Sequence, residues 1–121
     1  MKDSDLQRIK RIGVYCSKIG ESVARYGKSF EVFSNDWDYY NSVSMSIMQI
    51  GELVGGLSDE FKDSTRGQMP WGLIRGMRNR FAHSYSNMDK SDIWETATKD
   101  IPVLLAFCEK VVKESETPRS A

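Results

Sequence analysis

The sequence predicts an all-α protein, an up-down bundle of four main helices with short helical turns between them. Three observations predict this fold class. Apolar residues recur at steps of three and four along most of the 121 residues, which is the period of an amphipathic helix. No segment alternates apolar and polar residues as a half-buried strand does. Glycine or proline stands near several ends of the periodic segments. A chain of this length forms one domain with a modest core.

The helical segments follow from their apolar stripes, from the glycine after the first segment and from the proline that opens the fourth. The polar stretch between the third and fourth segments is predicted to be irregular, with one short helical turn. The predicted segments run from about Leu6 to Gly27, Ser29 to Asn35, Asp36 to Leu57, Pro70 to Phe81 and Asp89 to Lys113.

Aromatic residues and glycines on the third segment leave two questions open. Trp37, Tyr39 and Tyr40 open this segment. Such a group can stack on nucleic-acid bases, but packing in the core or at a dimer contact is the favoured interpretation. Gly51 and Gly55 are four residues apart on one side of the helix, where a missing side chain permits close approach of another element. That element belongs either to the same chain or to a second copy.

Proline and composition define the end of the domain. Pro102 removes a helix hydrogen bond and predicts a kink near Lys99 and Asp100. Residues 114–121 are polar, contain a proline and are predicted to be a disordered tail. The sequence therefore predicts a single helical domain over residues 1–113.

Charge and hydropathy exclude several classes of protein. The chain has 17 basic and 17 acidic residues, so no overall field attracts nucleic acid, and any RNA contact needs a local patch. Arg75, Arg78 and Arg80 form the candidate patch, although a run of arginines is also typical of a solvated helix face. No apolar stretch approaches the roughly 20 residues that span a bilayer, and the N-terminus lacks a signal-peptide pattern. No membrane association is expected.

Cysteine usage points to a reducing compartment. Cys16 and Cys108 show no paired spacing and are interpreted as reduced core thiols of a cytoplasmic protein. One histidine and two distant cysteines argue against a zinc site. The sequence predicts neither a metal nor another cofactor.

The stretch from Arg78 to Tyr85 contains the only histidine of the chain, His83. On a regular helix, five residues advance about 7.5 Å and turn about 140°, so Arg78 and His83 do not point the same way. Asn79 and His83, four residues apart, share a face, and Asn79 could orient the imidazole. A near-neutral base beside a guanidinium suits phosphate chemistry, because the ordinary histidine pKa is about 6.5. The alternative is that His83 only caps a helix end or lies on the surface there.

The stretch resembles the signature of the HEPN superfamily, in which an arginine precedes a histidine by four to six residues. Arg78, four intervening residues, His83, one residue and Tyr85 give the variant of HepT-type proteins. The resemblance covers about residues 4 to 113, and it is carried by further positions. These are Ile50-Gly51-Glu52, Pro70-Trp71, Ile74, Met77-Arg78-Asn79, Asp89, Ile93-Trp94-Glu95 and Asp100-Ile101-Pro102.

This resemblance implies a HEPN-like homodimer whose motifs face one cleft, acting as a metal-independent endoribonuclease toxin. The 2′-hydroxyl of RNA would be the nucleophile, His83 the acid or base and Arg78 the group that stabilises phosphate charge. Asn79 would be a positioning residue. Glu52 is by default a solvated surface residue, and the resemblance would place it near the site.

The resemblance also implies a partner, an antitoxin of the MNT nucleotidyltransferase type. This enzyme would silence the toxin by adding AMP to Tyr85, two residues from His83. The alternative is a non-catalytic HEPN module that binds nucleotides or a partner protein. The RNA target, the antitoxin and the stoichiometry of the complex are not encoded in any recognisable pattern.

Overall fold

The computed structural model describes residues 1–76 and 89–116, and its regular elements there are all helical, with no strand. The all-α prediction is thereby confirmed. In chain order the elements are α1 (Asp3–Tyr26), α2 (Phe30–Asn35), α3 (Trp37–Gly55), α4 (Asp59–Ser64), α5 (the helical residues 71–76), α6 (Lys90–Glu95), a π-helical turn (Thr96–Asp100) and α7 (Ile101–Glu116).

Local side-chain chemistry sets where these helices begin and end. Gly27 follows α1 with a φ of 107°, a backbone conformation that side chains disfavour and glycine adopts freely. Asp36 separates α2 from α3, and its carboxylate accepts a hydrogen bond from the Tyr39 N–H at 3.0 Å. Ser58 caps α4 in the same way, accepting from the Phe61 N–H at 3.2 Å. These caps satisfy N–H groups that a helix N-terminus leaves without partners.

Helix α1 lies antiparallel to both α3 and α7. Asp5, near the start of α1, bonds to Ser58 just beyond the end of α3. The Tyr26 ring at the end of α1 stacks on Tyr39 at the start of α3, with centroids 4.9 Å apart. The start of α1 and the end of α7 line one cavity of about 530 Å³. The three helices share one core, whose fully buried members include Ile9, Ile12, Ile19, Val43, Ile50, Val54, Leu104 and Cys108.

Where the sequence predicted a kink or a short break before Pro102, the structure has a π-helical turn, Thr96–Asp100. The Ile101 N–H bonds to the Thr96 carbonyl, five residues back instead of four. Pro102 has no N–H to offer the carbonyl four residues before it, and its ring crowds that carbonyl. A wider turn relieves the crowding and lets α7 continue the course of α6.

Two sequence expectations need correction. Helix α7 continues to Glu116, so its last three residues are helical and not part of a disordered tail. Helix α3 ends at Gly55, two residues before the predicted end. Tyr39 and Tyr40 are buried in the core, whereas Trp37 is 65 % exposed and lies outside it, so a dimer contact stays the prediction for Trp37. None of the helices in the described residues has the length and apolar character needed to cross a bilayer.

The Asp5 carboxylate is the most buried charged group of the described residues, at 1 % exposure. It accepts from the Ser58 N–H at 2.8 Å and from the Ser58 hydroxyl at 2.6 Å. Burial raises the pKa of Asp5, but the bonds from Ser58 and the positive charges of Lys2 and Arg8 outweigh it, so the pKa lies below its usual range. Two hydrogen bonds to a carboxylate are strong ones, and they join α1 to the start of α4.

The variant Asp5→Asn is expected to lower the free energy of unfolding at neutral pH by about 2 kcal/mol, because charge-assisted bonds to a buried group are lost. A lowered folded-state pKa stabilises the fold above the ordinary value of 3.8, and the stabilisation disappears as the pH falls through the folded-state pKa. Urea unfolding should therefore show a difference in the free energy of unfolding between wild type and variant, and this difference should become smaller below about pH 4.

Asp3→Asn is the matched control, since Asp3 is exposed in the same first turn of α1. A gap of equal size for Asp3→Asn, or one that persists unchanged in acid, would contradict the assigned role of Asp5.

Candidate active site

Most of the residues predicted for the site lie outside the described residues. Arg78, Asn79, Arg80, His83 and Tyr85 all belong to residues 77–88, and their predicted roles stay predictions. Glu52 and Arg75 are described. The structure describes the chain on both sides of residues 77–88.

Hydrogen bonds and aromatic contacts of Trp71 fix the chain just before residues 77–88. The indole N–H of Trp71 donates to the Thr65 hydroxyl at 2.8 Å, and that hydroxyl donates to the Phe61 carbonyl at 2.7 Å. The Trp71 ring meets Phe107 edge-on, with centroids 5.5 Å apart, and lies 6.1 Å from Phe61. Buried Trp71 thus has its one donor satisfied and its ring packed between α4 and α7. This fixes the start of α5.

Arg75 and Glu52, both singled out from the sequence, lie together. The Arg75 guanidinium donates to the Gly51 carbonyl at 3.0 Å and lies 3.8 Å from the Glu52 carboxylate. Arg75 therefore faces the last turns of α3. Its predicted role in binding phosphate stays a prediction.

The end of α3 makes an intrachain contact near its glycines. Gly51 is buried within the single chain, and its carbonyl accepts from the Arg75 guanidinium. A side chain on Gly55 would begin 2.6 Å from that guanidinium. The space left by Gly55 is thus taken by an arginine of α5, which supports an intrachain contact, one of the two possibilities left open by the sequence.

The chain that follows the segment is fixed at the opposite end of α3. Asp89 caps α6, and its carboxylate accepts from the N–H and the hydroxyl of Ser91 at 2.9 and 2.7 Å. These bonds hold the pKa of Asp89 below its usual value. The Lys90 ammonium donates to the Ser34 carbonyl at 2.7 Å and lies 5.0 Å from the centre of the Tyr40 ring. Sequence reasoning missed Lys90, since a lysine in the first turn of a helix has no distinctive pattern.

The cysteines offer no nucleophile. Cys16 and Cys108 are free and buried, as predicted. Burial raises the pKa of each thiol to about 12, with smaller contributions from the Cys108 thiol at Cys16 and from the Glu109 carboxylate at Cys108. Both stay protonated at neutral pH, and a thiol is a poor nucleophile. Residues 1–76 and 89–116 bring no three histidine, cysteine or carboxylate side chains together as a metal site would.

Comparison with known proteins identifies the family. The family model described as Ribonuclease HepT-like matches residues 6–111. A protein of Caldanaerobacter subterraneus that bears the name "Putative RNase" is 40 % identical over 88 residues, 73 % of this chain and 74 % of that protein. A Thermococcus cleftensis protein named "Probable ribonuclease HepT" is 31 % identical over 84 residues, 69 % of this chain and 76 % of that protein. No match to a solved structure was significant.

The match spans nearly the whole chain and includes the predicted signature. The chain therefore belongs to the HepT-like ribonuclease family. This confirms the resemblance drawn from the sequence and the prediction that the chain is an enzyme that cleaves RNA.

The hydrogen bond from Trp71 to Thr65 at the start of α5 is expected to contribute to the free energy of unfolding. Thr65→Val should lower the free energy of unfolding by about 1–3 kcal/mol, because the buried Trp71 N–H loses its acceptor. Thr65→Ser keeps the hydroxyl and is the matched control, with an expected change of less than about 1 kcal/mol. Urea unfolding followed by tryptophan fluorescence measures both variants. A loss for Thr65→Ser without a loss for Thr65→Val would show that the methyl group, and not the hydrogen bond, matters.

Proposed function

We propose that this chain is a metal-independent endoribonuclease toxin of a toxin–antitoxin pair, with a composite active site in the cleft of a homodimer. The observation that carries the proposal is the HepT-like match over residues 6–111, which contains Arg78, His83 and Tyr85 in the spacing of the HepT signature. The balanced charge of the chain is consistent with a local site and not with a protein that coats RNA.

The reaction needs no nucleophile from the protein. The 2′-hydroxyl oxygen of RNA attacks the adjacent phosphorus, and the bond from phosphorus to the 5′-oxygen of the next nucleotide breaks. A base takes the proton of the 2′-hydroxyl, and an acid gives a proton to the departing 5′-oxygen. The products end in a 2′,3′-cyclic phosphate and a 5′-hydroxyl. The protonated thiols of Cys16 and Cys108 are consistent with a mechanism of this kind.

His83 is proposed to move the protons, because its ordinary pKa of about 6.5 lies near working pH. Arg78 is proposed to stabilise charge on the phosphorane. One histidine per chain is too few for an acid and a base. A symmetric dimer would bring two copies of His83 and Arg78 to one cleft and so supply both.

Three neighbours are assigned supporting roles. Asn79, four residues before His83, is proposed to orient the imidazole, and Arg80 to bind RNA phosphate. The contact of Glu52 with Arg75, three residues before Arg78, supports a place for Glu52 near the site. Arg75 was predicted to bind phosphate, but its guanidinium faces Gly51 and Glu52, which favours a different role.

Control of the activity is proposed to come from a nucleotidyltransferase antitoxin that transfers AMP to the Tyr85 hydroxyl. The transfer forms a phosphodiester at Tyr85 and releases pyrophosphate from ATP. A bulky anion two residues from His83 would fill the cleft and repel an RNA phosphate. We place both activities in the cytoplasm, where RNA and ATP are available and thiols stay reduced.

The first test is cleavage of an end-labelled mixed RNA by the purified protein in excess EDTA. Wild type should yield fragments ending in 2′,3′-cyclic phosphate. His83→Ala should reduce the rate at least about hundredfold, the contribution typical of general acid–base catalysis. Arg78→Ala should also lose activity while the protein stays folded.

Two outcomes would contradict this mechanism. Loss of wild-type cleavage in EDTA would show that a metal takes part. The absence of cleavage under all conditions, with a folded dimer, would favour a non-catalytic module that binds nucleotides or a partner.

The regulatory role of the tyrosine has its own test. Tyr85→Phe lacks only the hydroxyl that accepts AMP, so it should cleave RNA at a rate within about threefold of wild type and resist silencing by the cognate nucleotidyltransferase with ATP. Mass spectrometry of the wild type after this reaction should show added AMP on Tyr85. Tyr15→Phe, a tyrosine on α1, is the control and should still be silenced. Modification of the Phe variant elsewhere, with equal silencing, would refute the assignment.

A further inference from the structure

Two arginine side chains from distant parts of the chain lie against the C-terminal end of α3. Arg75 lies next to Gly55, and Arg8 lies next to Gly56. A Cβ on Gly55 would lie 2.6 Å from the Arg75 guanidinium, and a Cβ on Gly56 would lie 2.5 Å from the Arg8 side chain. Carbon atoms do not approach nitrogen or carbon so closely without a shift. A side chain at either position would therefore require the flexible end of an arginine to move.

Electrostatics explains why arginines lie there. The carbonyls at the end of a helix carry about half a negative charge together, and α3 has no basic residue in its own last turn. Arg75, which belongs to α5, supplies the balancing positive charge. Its guanidinium donates to the Gly51 carbonyl at 3.0 Å. Its ion pair with Glu52 is long, at 3.8 Å, and the two side chains are 39 % and 44 % exposed. The hydrogen bond and the helix end therefore hold Arg75 more firmly than the ion pair does.

We propose that Arg75 is a positioning residue, whose contact with the end of α3 fixes the chain three residues before Arg78, and that it does not itself bind RNA. The proposal rests on the proposed function, since Arg78 and His83 are the groups to be positioned. Gly55 belongs to the same contact, because its missing side chain leaves the space that the Arg75 guanidinium occupies.

The two possible roles of Arg75 have different kinetic signatures. A residue that binds phosphate contributes to RNA affinity, so its loss raises KM and reduces the salt dependence of binding by about one unit of slope. A positioning residue aligns reacting groups, so its displacement lowers kcat and leaves KM and the salt dependence unchanged.

Gly55→Ala displaces Arg75 without removing its charge. This variant should lower kcat about tenfold or more at unchanged KM and unchanged salt dependence. Gly20→Ala is the matched control, because a Cβ there meets nothing within 4 Å and Gly20 lies within α1. It should cleave RNA as wild type does. Circular dichroism and thermal unfolding check that both variants are folded.

A double-mutant cycle tests whether Gly55 acts through Arg75. Arg75→Ala should lower kcat at unchanged KM, and adding Gly55→Ala to it should cause no further loss. A raised KM with a smaller salt slope for Arg75→Ala would overturn the proposal in favour of phosphate binding. Additive losses, or wild-type kinetics for Gly55→Ala, would overturn it as well.

The proposal can be tested even if the chain proves not to cleave RNA. His83 is the only histidine, so its imidazole C2–H gives a single, assignable proton NMR signal. Gly55→Ala should shift this signal and Gly20→Ala should not. Absent wild-type cleavage with a shifted signal would refute the proposed function but support the positioning role. An unshifted signal in both variants would overturn the positioning role whatever the activity.

Discussion

The C-terminal end of α3 is the polar junction on which the arrangement of the chain depends. The C-terminal end of a helix carries a partial negative charge, which nearby cations stabilise. Here Arg75 bonds to the Gly51 carbonyl, and Arg8 lies against Gly56. Two residues further, Ser58 donates twice to Asp5. The start of α1, the end of α3 and α5 are thus joined by charge-assisted contacts in a small volume, in addition to the apolar core that they share.

The start of α3 is fixed by aromatic packing instead. The Tyr39 hydroxyl donates to the Gly27 carbonyl at 3.0 Å, and its ring packs on Tyr26, Phe33 and Trp94. Lys90 joins the same corner. The chain before residue 77 is therefore held at one end of α3, and the chain after residue 88 at the other. One helix, α3, thus contacts the chain on both sides of residues 77–88.

Much of the fold and the chemistry of the site could be predicted from the sequence, but few of the contacts could. The periodicity of Ile9, Ile12, Ile47 and Ile50 identified core faces because it depends only on helix geometry. Pro102 predicted the break before α7 because a missing N–H acts locally. The helical state of residues 114–116 was missed. These residues are polar and exposed, so no apolar period marks them as helical.

The sequence by itself determined the helical fold class, the HepT-like family and the identity of the candidate groups Arg78, His83 and Tyr85. These follow from local periodicity, residue chemistry and ordered spacing. The tertiary structure decided that Gly55 lies against an arginine of the same chain, that Arg75 faces Gly51 and Glu52, and that Asp5 is buried against Ser58. Each of these contacts joins residues 20 or more positions apart, so it exists only when packing brings distant helices together, and no local pattern encodes it.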